Sequence, residues 1–264
     1  MNHRQRVVSG VVASISTAAL TLGTASAAMA SEAPSKAEST AAAVEKATGT
    51  TSIAPAPTAG TTIPQRSTGD AKAVAATGAA ISIALPSSNN VIGTKGGKNT
   101  TVYPGAAKAT DLAIQPTTDG GIRALAVLKN ATAPREQRYD IGLPNGARLV
   151  KLNTGAVAAV AKNGTFLGGF TTPWAKDATG KPVPTSYRID GNTLIQSVQI
   201  TDSTAFPVVA DPKWVHDAAK GTAMGLATGC VSGAVAGGGA GCIPGAVAGG
   251  LGGAVAGVVG GLFD

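Results

Sequence analysis

Between about residues 100 and 212, apolar positions fall in short runs, several of them alternating with polar ones, and each run ends at a cluster of turn-forming residues. The runs are Asp111 to Gln115, Ile122 to Leu128, Arg138 to Leu143, Ala147 to Leu152, Ala156 to Ala161, Thr165 to Phe170, Ser186 to Asp190, Thr193 to Ile200 and Phe206 to Val209. Successive side chains of a strand point to opposite faces, so runs of this length and alternation predict strands. Turns are predicted at Asp119-Gly120-Gly121, Pro144-Asn145-Gly146, Asn153-Thr154-Gly155, Asn163-Gly164, Asp177 to Gly180 and Asp190-Gly191-Asn192. So many short strands within about 110 residues predict one antiparallel β-sandwich domain over 100–212, and a mainly β protein.

The pattern changes beyond it. Between Lys220 and Asp264 no side chain is charged, and Gly, Ala and Val dominate. Glycine fills every fourth position without a miss: Gly221, Gly225, Gly229, Gly233, Gly237, Gly241, Gly245, Gly249, Gly253, Gly257 and Gly261. On a helix such positions share a face, and their missing side chains let another backbone approach closely. One helix of about 43 residues would run roughly 65 Å, twice the hydrocarbon thickness of a bilayer. Gly237-Gly238-Gly239 breaks it, and Pro244 suits the first turn of a second helix. The expectation for 213–264 is therefore a glycine-zipper helical hairpin. Glycine costs about 1 kcal/mol per position relative to alanine in a helix, so this segment needs something to pack against. Cys230 and Cys242, the two cysteines of the chain, lie symmetrically about Ala236. In an exported protein they would form a disulfide across the hairpin; the alternative is two buried free thiols.

The N-terminus carries Arg4 and Arg6, an apolar stretch from Val7 to about Leu22, and the small-residue sites Ala25-Ser26-Ala27 and Ala28-Met29-Ala30. This predicts a secretory signal peptide over 1–30, cut between Ala30 and Ser31, with Ala27 the second choice; the alternative is an uncleaved anchor. A secreted or cell-envelope location follows. Residues 31–99 are mostly Ala, Ser, Thr, Pro and Lys, with larger apolar residues concentrated around Ile81 to Leu85. A disordered linker is the expectation there, since little surface is offered for burial. A strand from Ala80 to Leu85, or around Val91 and Ile92, is the exception it leaves open.

The residues Tyr103-Pro104-Gly105, Asp111-Leu112, Leu143-Pro144-Asn145-Gly146, Pro173-Trp174-Ala175-Lys176-Asp177-Ala178-Thr179-Gly180 and Pro207-Val208-Val209-Ala210-Asp211-Pro212-Lys213-Trp214 resemble a β-rich module of secreted actinobacterial proteins. A similar module precedes the YD-repeat region of some polymorphic toxins. The resemblance covers under half the chain and implies a presenting or processing module before a C-terminal effector, with no catalytic residue to transfer. The glycine-rich tail resembles small bacteriocins that pair helices through GxxxG.

Candidate chemistry is sparse. Once the leader is removed, His216 is the one histidine, so no two-histidine metal site can form, and no recognisable nucleophile accompanies it. A surface or capping role beside Trp214, at the start of the first tail helix, is expected for it. Asp177 to Lys181 reads as a turn rather than a calcium or phosphate loop. Asp202 and Asp211 show no paired-carboxylate pattern. Trp174 reads as a core anchor, with a sugar-stacking platform as the alternative. No catalytic residue, metal or cofactor is assigned. The net charge of +7 falls to about +5 without Arg4 and Arg6, and its Lys and Arg are scattered. Nucleic acid is not an expected partner, and no small-molecule substrate is identified. The function expected is a non-enzymatic exported protein whose tail self-associates and enters or binds membranes as a bacteriocin-like, pore-forming effector. The alternatives are a structural envelope protein anchored or oligomerised through the zipper, and a soluble protein whose hairpin packs on its own sandwich or on a partner's hairpin.

Overall fold

The computed structural model describes residues 34–216. The expected signal peptide with its Ala30–Ser31 junction, the Cys230/Cys242 pair and the glycine register from Gly221 to Gly261 lie outside the described residues.

The first finding corrects the disordered linker expected over 31–99. Described residues of that stretch form helix α1 (Lys36–Thr48) and strands β1 (Asp70–Val74), β2 (Ala80–Ala84) and β3 (Thr94–Gly96). The helix starts in a capping box, with Ser35 accepting from the Glu38 amide and Glu38 accepting from the Ser35 amide. It ends before Gly49, whose φ of 73° a side chain would strain. Ala37, Ala41 and Val44 fall on one face and are buried. Their small size hid the amphipathic stripe, but it suffices because a sheet lies beneath. The open strand at Ala80 to Leu85 is realised as β2, which buries Ile81 and Ile83.

The remaining strands are β4 (Thr100–Ala107), β5 (Thr110–Pro116), β6 (Ile122–Leu128), β7 (Glu136–Gly142), β8 (Arg148–Lys151), β9 (Val157–Val160), β10 (Phe166–Phe170), β11 (Ala175–Lys176), β12 (Thr185–Asp190), β13 (Thr193–Val198), β14 (Val208–Ala210) and β15 (Lys213–Val215). Every pairing between them is antiparallel. A five-stranded sheet runs β1-β2-β7-β13-β12, and a ten-stranded sheet runs β3-β4-β5-β6-β15-β10-β9-β8, with β14 joining β6 and β11 joining β14. The described protein is thus mainly β, with antiparallel sheets and one helix, consistent with a β-sandwich-like domain.

Side-chain alternation sorts the layers. Leu112 and Ile114 of β5 and Ile122, Ala124, Ala126 and Leu128 of β6 join Ile81, Ile83, Tyr139 and Leu194 of the smaller sheet in the main core. Their neighbours Ala113, Leu125 and Val127 point the other way and pack with Ala37, Ala41 and Val44 of α1. The centre of the large sheet is therefore buried on both faces, so β6 is apolar without alternation from Ala124 to Leu128.

A second correction concerns the boundary drawn at 212. Lys213–Val215 is not the start of a tail helix; it is strand β15, set between β6 and β10. Three residues flanked by Pro212 and His216 carry no periodicity of their own, and the open slot between β6 and β10 defines them.

Candidate functional site

The last described strand roots the C-terminal segment, and the residues that hold it are the strongest functional candidates. Trp214 is fully buried, with Phe170 edge-on at a ring separation of 5.2 Å and 68°. Its indole N–H donates to the Val74 carbonyl at 3.4 Å, so one side chain ties the large sheet to β1 of the small one. Trp174, expected as the core anchor, is half-buried on the helix side instead, with Lys176 Nζ 5.5 Å from its ring centre. Lys176 also donates to the Ala47 carbonyl at 2.8 Å, and Lys46 to that of Ala178 at 2.7 Å, which closes the helix end onto this loop.

Immediately before β15, Asp211 is completely buried between the sheets. Its Oδ1 accepts from the Trp174 amide at 2.9 Å, the Tyr187 hydroxyl at 3.3 Å and Gln196 Nε2 at 3.3 Å. Its Oδ2, the Tyr139 hydroxyl and Gln196 Oε1 have no hydrogen-bond partner among the described residues. Burial raises the Asp211 carboxyl to about 7, against the pull of these donors. Burial, then the Asp211 charge, pushes the Tyr139 and Tyr187 hydroxyls well above their ordinary range, so neither ionises at neutral pH. Arg123 is lowered by burial, partly offset by Asp119 and Asp211, and its guanidinium donates to Gln115 Oε1 at 3.3 Å and Ser52 Oγ at 2.8 Å.

This knot is a buried acid enclosed by hydrogen-bond donors from the Trp174 loop, β12 and β13. What it does is fix the chain path into β15: the carboxylate binds the Trp174 loop, the smaller sheet through Tyr187 and Gln196, and its own strand end. Nothing in the sequence marked Asp211 for this role except that it precedes Pro212 in a turn-like motif.

The other residues singled out from the sequence scatter. His216 follows β15 beside the Gly120 turn, where a side chain on Gly120 would meet its ring. Asp177 builds a turn, accepting from the Thr179 amide and hydroxyl at 2.9 and 2.7 Å and the Lys181 amide at 3.0 Å, and the Thr179 hydroxyl leads in holding its carboxyl below the usual range. Asp202 is exposed in another turn. Among the described residues no cluster of three His, Cys, Asp or Glu could hold a metal, and no helix is long and apolar enough to cross a membrane.

A second feature flanks the helix. Thr40 donates to Asp111 Oδ2 at 2.7 Å, while Asp111 Oδ1 accepts from Lys129 Nζ and the Gly105 amide, both at 2.7 Å. A depression of about 320 Å³ lies alongside, bounded by Thr40, Ala43, Lys129 and Phe206. Its wall is largely apolar and its one carboxylate is already paired. No protein-family model matches the chain, and no curated protein or solved structure matches it either.

Proposed function

We propose that this is a non-enzymatic exported protein in which the β domain holds and presents a glycine-rich C-terminal segment that associates with membranes, pairing helices through the Gly221–Gly261 register as a bacteriocin-like effector. The observation that carries the reading is the position of β15. The uncharged run begins after Lys220, five residues beyond β15, a strand interior to the large sheet; Trp214 within that strand and Asp211 just before it are both fully buried. A chain that follows a strand held this firmly on both sides suits a presenting role for the β domain. Membrane association is supported by its composition: no charge between Lys220 and Asp264, and small residues that favour helix pairing in lipid. Glycine and alanine gain little on transfer to lipid, so self-association contributes the rest.

The envelope-anchor reading keeps its zipper but loses its spacer, since residues 36–48 and 70–96 carry folded elements. Leakage of dye from phosphatidylglycerol-containing vesicles tests the preferred reading. Leakage by the exported chain or by a peptide spanning residues 214–264 is expected. A peptide that binds vesicles at micromolar concentration without releasing dye would leave only the anchor.

A further inference from the structure

β9 differs from a strand with one wet face. In β7, buried Gln137, Tyr139 and Ile141 alternate with exposed Glu136, Arg138, Asp140 and Gly142. In β9, Val157 and Ala159 face the main core, yet Ala158 and Val160 on the opposite face are equally buried. Phe166 of β10 and Val215 of β15 extend this second apolar surface, and Val150 of β8 lines its margin. Helix α1 covers the corresponding face of the sheet at β3–β6 and β14. At the β8–β10 end, the described members of the cluster all come from this one sheet face and the β8–β9 connection. One face of a sheet cannot remove itself from water; it needs a covering layer.

We propose that this outer face of β8, β9, β10 and β15 is the docking surface of the chain's own C-terminal segment, residues 217–264. The route is short: Val215 belongs to the apolar face, and the segment begins two residues later, so no linker has to span a gap. The segment is long enough, because one helical arm of about 20 residues reaches roughly 30 Å, against a width of about 15 Å for four strands. The chemistry matches, since the uncharged run of Gly, Ala and Val from 221 to 263 meets an apolar cluster, with Arg148 of β8 and the Asp119-paired Lys213 of β15 on the same face at its rim. Shape matches as well: Ala158 and the glycine register both lack bulk, which lets a helix backbone sit close to the sheet. Docking would also supply the packing that a glycine-rich helix requires in water. It holds whatever the segment does at a membrane: vesicle leakage and the solution measurements below are separate readouts, and either can fail alone.

Hydrogen exchange on the full exported chain tests it. In the wild type, amides between residues 221 and 263 are expected to exchange at least tenfold more slowly than in the Ala158→Glu variant, while β5 and β6 keep their protection. Exchange of the wild-type segment at unstructured-chain rates would overturn the proposal, as would unchanged protection in the variant. Should Ala158→Glu fail to fold, benzoyl-phenylalanine in place of Val150 at the margin gives the second measurement. Photo-crosslinks to residues 217–264 of the same chain are expected; crosslinks to residues 1–33 or to a second copy count against it.

Discussion

Gly168 of β10 and Trp214 of β15 fit together because one of them has no side chain. A Cβ on Gly168 would overlap the indole edge and stand 2.8 Å from both Cη2 of Trp214 and the Val215 carbonyl. The backbone adds its own demand, for Gly168 has φ 143° and lies where β10 slips register against β9. The slip and the missing side chain together open the slot for the indole. Gly168→Ala is therefore expected to cost about 3 kcal/mol, from strain and overpacking combined. Chemical denaturation checks this, and a variant as stable as the wild type would mean that the indole is not tightly seated.

Asp211 predicts an unusual pH dependence. Folded, it keeps its proton up to about pH 7, whereas unfolded it releases it near the ordinary carboxyl value of 3.8. Between these values the folded state binds the extra proton, so this group's contribution favours folding most below the lower value and declines as pH rises towards 7, then levels. The decline amounts to about 4 kcal/mol for a shift of this size. Asp211→Asn keeps the shape and removes the titration. It is expected to flatten the stability profile between pH 4 and 7 and to exceed the wild type above pH 7. Parallel profiles for the two proteins would show that another group is responsible.

How the sequence hid Asp211 illustrates what was legible. Ile122 to Leu128 was read with the bounds β6 has, and Thr193 and Asp190 mark the two-residue turn that joins β12 to β13. Such signals are local: an apolar run bounded by turn residues, or Gly191 at φ 58° in a turn that requires it. The helix was lost because Ala37, Ala41 and Val44 are small, and their stripe acquires meaning only opposite Val102 and Leu125. β15 and the Asp211 knot were lost because both are made by distant partners: Ile122 lies 92 positions from Trp214 in sequence, with which it pairs. Tyr139, Tyr187 and Gln196 look like ordinary strand residues until β7, β12 and β13 bring them to one carboxylate.

Asp111 locks α1 to the sheet, and its loss should be felt there first. Asp111→Ala leaves the Thr40 hydroxyl, the Gly105 amide and the Lys129 ammonium without their acceptor. A cost of about 2 kcal/mol is expected, since the buried Thr40 hydroxyl and the part-buried Gly105 amide lose their acceptor while the half-exposed Lys129 turns to water. Amides of Lys36–Thr48 should exchange faster than those of β13, which lies in the other sheet. Equal acceleration in both would show that the helix and sheets open as one unit.

The glycine register makes a sharper prediction than composition alone. If close backbone approach matters, position decides the outcome, and bulk on the register should act differently from bulk off it. Gly233→Leu and Gly253→Leu, both on the register, are expected to reduce chemical cross-linking of the exported protein in detergent or vesicles at least fivefold. Gly238→Leu and Gly252→Leu lie off the register and add the same apolar surface. They should leave cross-linking nearly unchanged, and should bind vesicles at least as well because leucine transfers to lipid more favourably. Equal loss from all four variants would assign the effect to helix propensity or solubility. No loss from any would remove the zipper, and with it the proposed assembly.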